Sequence, residues 1–165
     1  MTETQPQPGG IRGLIQWGWS IVQNGEKYAT LPLRMGLAAI FLIEAHSKFI
    51  SQGKAGSQAL LRVLPNVTGV PITEAQAVSL TLYVFGMGEL LIGLAFLFGA
   101  FTRYASAAAA GFMALTVTLL GIPSWSIGVL KDTTILGAAL AQGLLGSYVL
   151  SVDGLLRKKN PKMVV

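Results

Sequence analysis

The stretch Tyr83–Arg103, YVFGMGELLIGLAFLFGAFTR, decides the fold class, because it carries one acid, Glu89, inside an apolar run studded with glycine. The run from Ala77 to Ala100 is about 24 residues, enough to cross a ~30 Å hydrocarbon core at ~1.5 Å rise per residue. Glu89 falls near its middle. An ionisable group at that depth costs at least ~2.5 kcal/mol even on the lenient insertion scale, so it turns toward the interior of a helix bundle and takes a polar partner. Gly86 and Gly93 stand at i−3 and i+4 from Glu89, where their missing side chains let a neighbouring helix approach the carboxyl. This predicts an inward-facing Glu89 whose partner lies on the first or last spanning helix, with Gln142 the foremost candidate.

The composition extends that reading to the whole chain. With 165 residues, 52% of them hydrophobic and 12% charged, and a mean hydropathy of +0.60, the chain is too apolar for a soluble domain of its size and reads as one membrane domain. It contains no cysteine, which excludes disulfides, cysteine-held iron–sulfur or zinc centres and dithiol relays. The single histidine, His46, cannot alone build a bis-histidine haem or a conventional metal cluster, so no metal site is expected. Any cofactor is therefore held non-covalently, shared with a partner, or absent. The net charge of +5 and pI near 9.8 arise from basic residues at the ends of apolar runs, a pattern of membrane topology rather than of nucleic-acid binding.

Taken in order, the chain divides into an N-terminal segment (1–30), a transmembrane domain (31–155) and a basic tail (156–165). Met1 to Gly10 is polar and lacks the basic-then-apolar pattern of a cleavable signal. Ile11 to Tyr28 mixes Trp17 and Trp19 with Arg12, Gln16, Glu26 and Lys27, the composition of an amphipathic helix lying at the interface or packed on the bundle. Leu31 to Ile50 is the first span, with Pro32 in its first turn. Arg34, Phe41 and Lys48 repeat every seven residues, and Glu44 precedes Lys48 by four, so these charges share one stripe; His46 faces elsewhere. Ser51 to Thr73 reads as a long loop with a short surface helix. Thr73 and Gln76 form a capping box that starts the second span, and Thr102 is a candidate N-cap for the third, Tyr104 to Gly121. A connector with Pro123 and Trp125 leads through Lys131 and Asp132 to the fourth span, Thr133 to Leu150. The expected fold is therefore all-α, an integral membrane four-helix bundle preceded by an interfacial amphipathic helix.

Arg12, Lys27, Arg34, Arg103, Arg157, Lys158, Lys159 and Lys162 fall on one side of such a bundle, and Lys48, Lys54, Arg62 and Lys131 on the other. That asymmetry puts both termini in the cytoplasm and the protein in the plasma or inner membrane. Glu89 and Gln142 would then lie at similar depth, ~15 Å from the outer surface. Glu44 would lie above them, with Lys48, His46, Lys131 and Asp132 nearer the rim. Such a polar funnel suits a quinone head group or a proton. Each member also has a plainer reading: Glu44 and Lys48 as an i,i+4 pair, Glu89 as a hydrogen bond gluing helices, His46 as an interfacial residue.

Several stretches resemble the DoxX/DoxD-like family. Arg34-Met-Gly-Leu and Phe41-Leu-Ile-Glu-Ala-His46-Ser-Lys48 resemble its first helix, although the exit here is shorter and lacks the family's glycine before the lysine. Gly86-Met-Gly-Glu89-Leu-Leu-Ile-Gly93 and Gly99-Ala-Phe-Thr-Arg103 resemble its second helix and turn. Leu130-Lys-Asp132, Gly137-Ala-Ala and Ser151-Val-Asp153-Gly resemble its fourth helix and exit. The resemblance covers roughly 31–155. It implies a four-helix membrane protein tied to quinone-linked redox chemistry, as in thiosulfate:quinone oxidoreductase subunits and respiratory membrane complexes.

On that basis Glu89, Glu44, His46 and Lys48 are the candidate catalytic residues, and Glu89, Gln142 and Arg34 the candidate quinone-binding ones. The expected partners are the lipid bilayer and other membrane subunits or further copies of the chain, with no nucleic acid. A non-catalytic assembly subunit and a small-molecule or proton carrier remain the alternatives.

Overall fold

The computed structural model describes residues 11–118, 127–146 and 150–159. Every regular element among them is helical: α1 (Ile11–Ile50), α2 (Lys54–Thr68), α3 (Glu74–Phe98), α4 (Thr102–Thr116), α5 (Ile127–Leu145) and α6 (Val152–Lys159). The Met1–Gly10 tail, Pro123 and Trp125 of the connector, and Lys162 lie outside the described residues. Among the described residues two stretches are long and apolar enough to cross a membrane, Ala29–Ile50 of α1 and all of α3. Large apolar side chains point outward from these helices and from α5, among them Ile43, Leu91 and Leu144 at 67%, 62% and 86% exposure. Such a surface is stable against lipid and not against water.

The amphipathic segment and the first span, expected as separate elements, form one 40-residue helix with Pro32 inside it. Proline there removes the i+4 donor to the Tyr28 carbonyl at a cost of about 3 kcal/mol, whereas ending the helix would strand several carbonyls at once. At ~1.5 Å per residue α1 is about 60 Å long, twice the hydrocarbon thickness. Its N-terminal half is thus an extension of the spanning rod.

The stretch between the two spans is more ordered than its Pro65, Asn66 and Gly69 imply. It forms the 15-residue α2, flanked by Gly53 and Gly69 in left-handed conformation at φ 78° and 70°. Asn66 Nδ2 donates to the Arg62 carbonyl at 2.7 Å and Thr68 Oγ1 to that of Leu64 at 2.8 Å, so side chains satisfy the last turn. Gly53 lets the α1–α2 turn press onto α3: a Cβ there would lie 2.5 Å from the Val78 carbonyl oxygen.

α3 starts as its capping box predicts, with Thr73 N–H donating to Gln76 Oε1 at 2.8 Å and Gln76 N–H to Thr73 Oγ1 at 3.3 Å. Leu80–Gly86 is wound as a π-helix before α-geometry resumes at Met87. Thr102, by contrast, is not the N-cap of α4. Phe101 occupies that position at φ 51°, and the cap comes from the far end of the chain: Asp153 accepts from Phe101 N–H and Thr102 N–H, both at 2.8 Å.

α1 packs on α3, and α4 on α5, around a core that includes Leu37, Phe41, Phe96, Ala109, Met113, Ile135 and Ala139. The α1–α3 contact is closest at Gly93, where a Cβ would sit 2.8 Å from Leu42 Cγ and 3.2 Å from its backbone nitrogen. Gly93→Val is therefore expected to destabilise the protein by about 1–3 kcal/mol, the range for overpacking a tight contact. Gly88→Val, on the same helix with nothing within 4 Å of its Cβ, is expected to change little. Thermal unfolding of both variants in detergent micelles checks the contrast, and equal losses would contradict it.

Candidate functional site

A cavity of about 190 Å³ opens among α1, α2, α3, α4 and α5. Phe41, Phe85 and Phe112 form its aromatic wall, with Phe112 edge-on to both others at centroid distances of 6.5 and 5.4 Å. Glu44, Lys48, Glu89, Lys131 and Asp132 form its charged wall. Helical spacing explains the α1 contribution: Phe41, Glu44 and Lys48 are separated by three and four residues and share one face. On α3, Thr81 and Phe85 of the π-wound stretch line the cavity just before Glu89, and π-turns of this kind recur at functional sites. Gly86 is buried against the stem of Lys48, and its added Cβ would lie 3.6 Å from Lys48 Cβ.

Glu89 is 3% exposed and accepts from Lys48 alone among the described residues. Lys48 Nζ donates to its Oε1 at 2.8 Å and its Oε2 at 2.7 Å. Both carboxylate oxygens are thus satisfied by one ammonium, the condition under which a buried pair recovers its desolvation cost. Glu44 divides its oxygens between two lysines, Oε1 to Lys131 at 2.6 Å and Oε2 to Lys48 at 3.7 Å. Asp132 Oδ1 lies 4.0 Å from Lys131 Nζ. Fully ionised, the wall carries two positive and three negative charges.

Glu89 therefore faces inward with a partner on the first helix, but that partner is Lys48 and not Gln142. Gln142 donates through Nε2 to the Gly146 carbonyl at 2.7 Å and does not line the cavity. Its Oε1 and Ser106 Oγ are buried without a hydrogen-bond partner among the described residues. The difference lies in the register of the helices. The first turns of α3 stand beside α2, beyond the end of α1, so Glu89 falls at the level of the last turns of α1. Gln142 is 11 residues beyond Lys131, roughly 16 Å further along α5.

Arg34 shares the Lys48 stripe yet lies about 21 Å away along α1. It too is absent from the cavity wall. It is buried at 1% exposure and donates through Nη2 to the Leu150 carbonyl at 2.8 Å, where the end of α3 meets the start of α6. His46 is exposed, on another face of α1, and does not line the cavity either. Lys131, which the sequence placed at the rim, proves to be joined to Glu44. Phe85 and Phe112 gave no signal in a chain whose apolar runs all look alike.

Comparison with curated proteins and with solved structures gives no match. The sequence profile described as DoxX matches residues 29–121, more than half of the 165 residues, from the apolar part of α1 through α4. The stretches read as the fourth helix and its exit, Leu130 to Gly154, lie beyond that match. With two helices among the described residues that are long and apolar enough to cross a membrane, and outward-facing apolar side chains beside them, this match makes the chain a membrane protein that belongs to the DoxX family.

Proposed function

We propose that this protein is a four-span subunit of a quinone-linked redox complex, respiratory or sulfur-oxidising, in the plasma or inner membrane with both termini in the cytoplasm. The observation that carries the proposal is the cavity lined by three phenylalanines together with the Lys48–Glu89 pair. A quinone head is a flat ring with two carbonyls. Aromatic edges hold the ring, an ammonium donates to a carbonyl, and a carboxyl supplies or receives the proton that accompanies reduction. Quinone becomes quinol by taking two electrons and two protons; here the electrons come from a separate redox subunit, and both protons pass in turn through Glu89, which Lys48 reprotonates after the first transfer. At ~30 Å³ per water the cavity holds about six waters, so a single ring fits and an isoprenoid tail extends toward lipid.

A second reading has its own support. The Lys48–Glu89 pair ties α1 to α3 and the Lys131–Glu44 pair ties α5 to α1, which is what an accessory subunit would need for packing alone. Equilibrium dialysis of a short-chain quinone against the protein in lipid nanodiscs, with turnover in native membranes, separates the two. Under the redox reading Glu89→Gln still folds but binds about ten- to hundredfold more weakly and loses quinone-linked turnover. Binding and turnover unchanged in Glu89→Gln would decide for the structural role.

A further inference from the structure

We propose that Lys131, Glu44 and Lys48 form a one-sided proton path from the α1–α5 mouth of the cavity to Glu89. The proposal relies on the quinone reading only for what finally consumes the proton. The four side chains alternate in charge and descend in exposure, 51%, 39%, 14% and 4% from Lys131 to Glu89. They come from α5, α1 and α3, and the two cross-helix contacts join residues 87 and 41 positions apart. A half-exposed pair such as Lys131–Glu44 adds little to stability, so packing is a poor account of its 2.6 Å geometry. A chain of exchangeable groups leading from the surface to a buried acid is what a proton relay requires.

One step is longer than a hydrogen bond, Glu44 Oε2 to Lys48 Nζ at 3.7 Å. It lies on the wall of a cavity with room for several waters, and one water there completes the path. The transfer balances without a redox partner. Lys48 gives a proton to the Glu89 carboxylate, and the amine left behind recovers one from Glu44 or its bridging water, supplied in turn from the mouth. The other titratable group on the wall is Asp132, beside Lys131. α2 and α4 face the cavity with Gly56, Leu60 and Thr116, which carry no charge. Toward the Arg34 end the path meets Phe41, Phe96 and Leu37, all at most 2% exposed, so protons exchange with one side of the membrane only.

The test uses the whole protein in nanodiscs without quinone. After a pH jump, time-resolved infrared spectroscopy follows the carboxyl band of Glu89, identified by its loss in Glu89→Gln. Each variant is measured around its own midpoint. Glu44→Gln is expected to slow Glu89 protonation at least about tenfold, with Glu44→Asp restoring most of the rate. Lys131→Met, at an exposed position that does not threaten folding, is expected to slow it several-fold and carries the test where Glu44→Gln does not fold. Wild-type rates in Glu44→Gln or, failing that variant, in Lys131→Met would overturn the path, as would a Glu89 band that does not change with pH. Because no quinone is present, a failure to bind quinone leaves this result intact, and an unchanged rate leaves quinone binding untouched.

Discussion

Lys48→Met is expected to destabilise the protein by about 3–5 kcal/mol, the cost of removing one member of a buried ion pair and leaving the other uncompensated. Glu89 accepts from Lys48 alone among the described residues, so nothing nearby replaces the lost ammonium. The converse change should be milder. In Glu89→Gln the amide still accepts from Lys48, and Lys48 retains Glu44 at 3.7 Å and a flexible stem that reaches toward the head groups. The double change Lys48→Met with Glu89→Leu, which removes both charges, should recover much of the loss. Thermal unfolding in detergent of the two single variants and the double variant checks the order. A Lys48→Met variant as stable as Glu89→Gln would show that the pair is not the tie between α1 and α3 that its geometry implies.

The second large effect is expected at Gly99, far from the cavity. Gly99 adopts φ +61°, and a Cβ there would collide with the Arg34 guanidinium and lie 2.5 Å from Ser151 Cβ. Arg34 is buried at 1% exposure, so displacing it breaks its bond to the Leu150 carbonyl inside the protein. Gly99 also accepts at its carbonyl from Asp153 N–H at 3.1 Å, and Asp153 caps α4, so a shift at this turn disturbs three helices together. Gly69 provides the control: its φ is +70°, but nothing lies within 4 Å of its Cβ. Gly69→Ala should cost about 1–2 kcal/mol for the left-handed backbone alone. Gly99→Ala should cost at least about 3 kcal/mol, because the buried arginine is disturbed as well. Similar unfolding temperatures for the two variants would mean that Arg34 gives way without loss.

The two ends of the molecule divide the work. At the α1–α5 mouth the charges are graded, partly exposed and set against a cavity, the arrangement on which the proposed proton path rests. At the opposite end Arg34, Gly99, Ser151 and Asp153 interlock over the α3–α4 turn and hold α6 in place. The motifs that resemble the family at Arg34, Gly99-Ala-Phe-Thr-Arg103 and Ser151-Val-Asp153-Gly thus belong to one structural joint. Those at Glu44, Lys48 and Glu89 belong to the candidate site.

The sequence by itself pointed to a helical membrane protein, because a chain of this hydropathy with long apolar runs leaves too much apolar surface for water to solvate. It also determined that Glu89 faces inward, that Gly93 allows close packing, and that Thr73 and Gln76 start α3, since each depends on spacing within one helix. Tertiary structure alone decided which charges meet. Lys48 replaced Gln142 as the partner of Glu89 because the register of α3 against α1 is set by Gly86 and Gly93 on α3 and by α2 beneath its first turns. Asp153 replaced Thr102 as the cap of α4 because residues about 50 positions apart in the chain are brought together there. The continuity of α1 through Pro32 has the same origin, a comparison of costs along a whole rod that no local pattern expresses. Periodicity within a helix is written in adjacent residues, whereas the vertical offset between helices is a sum over all their contacts.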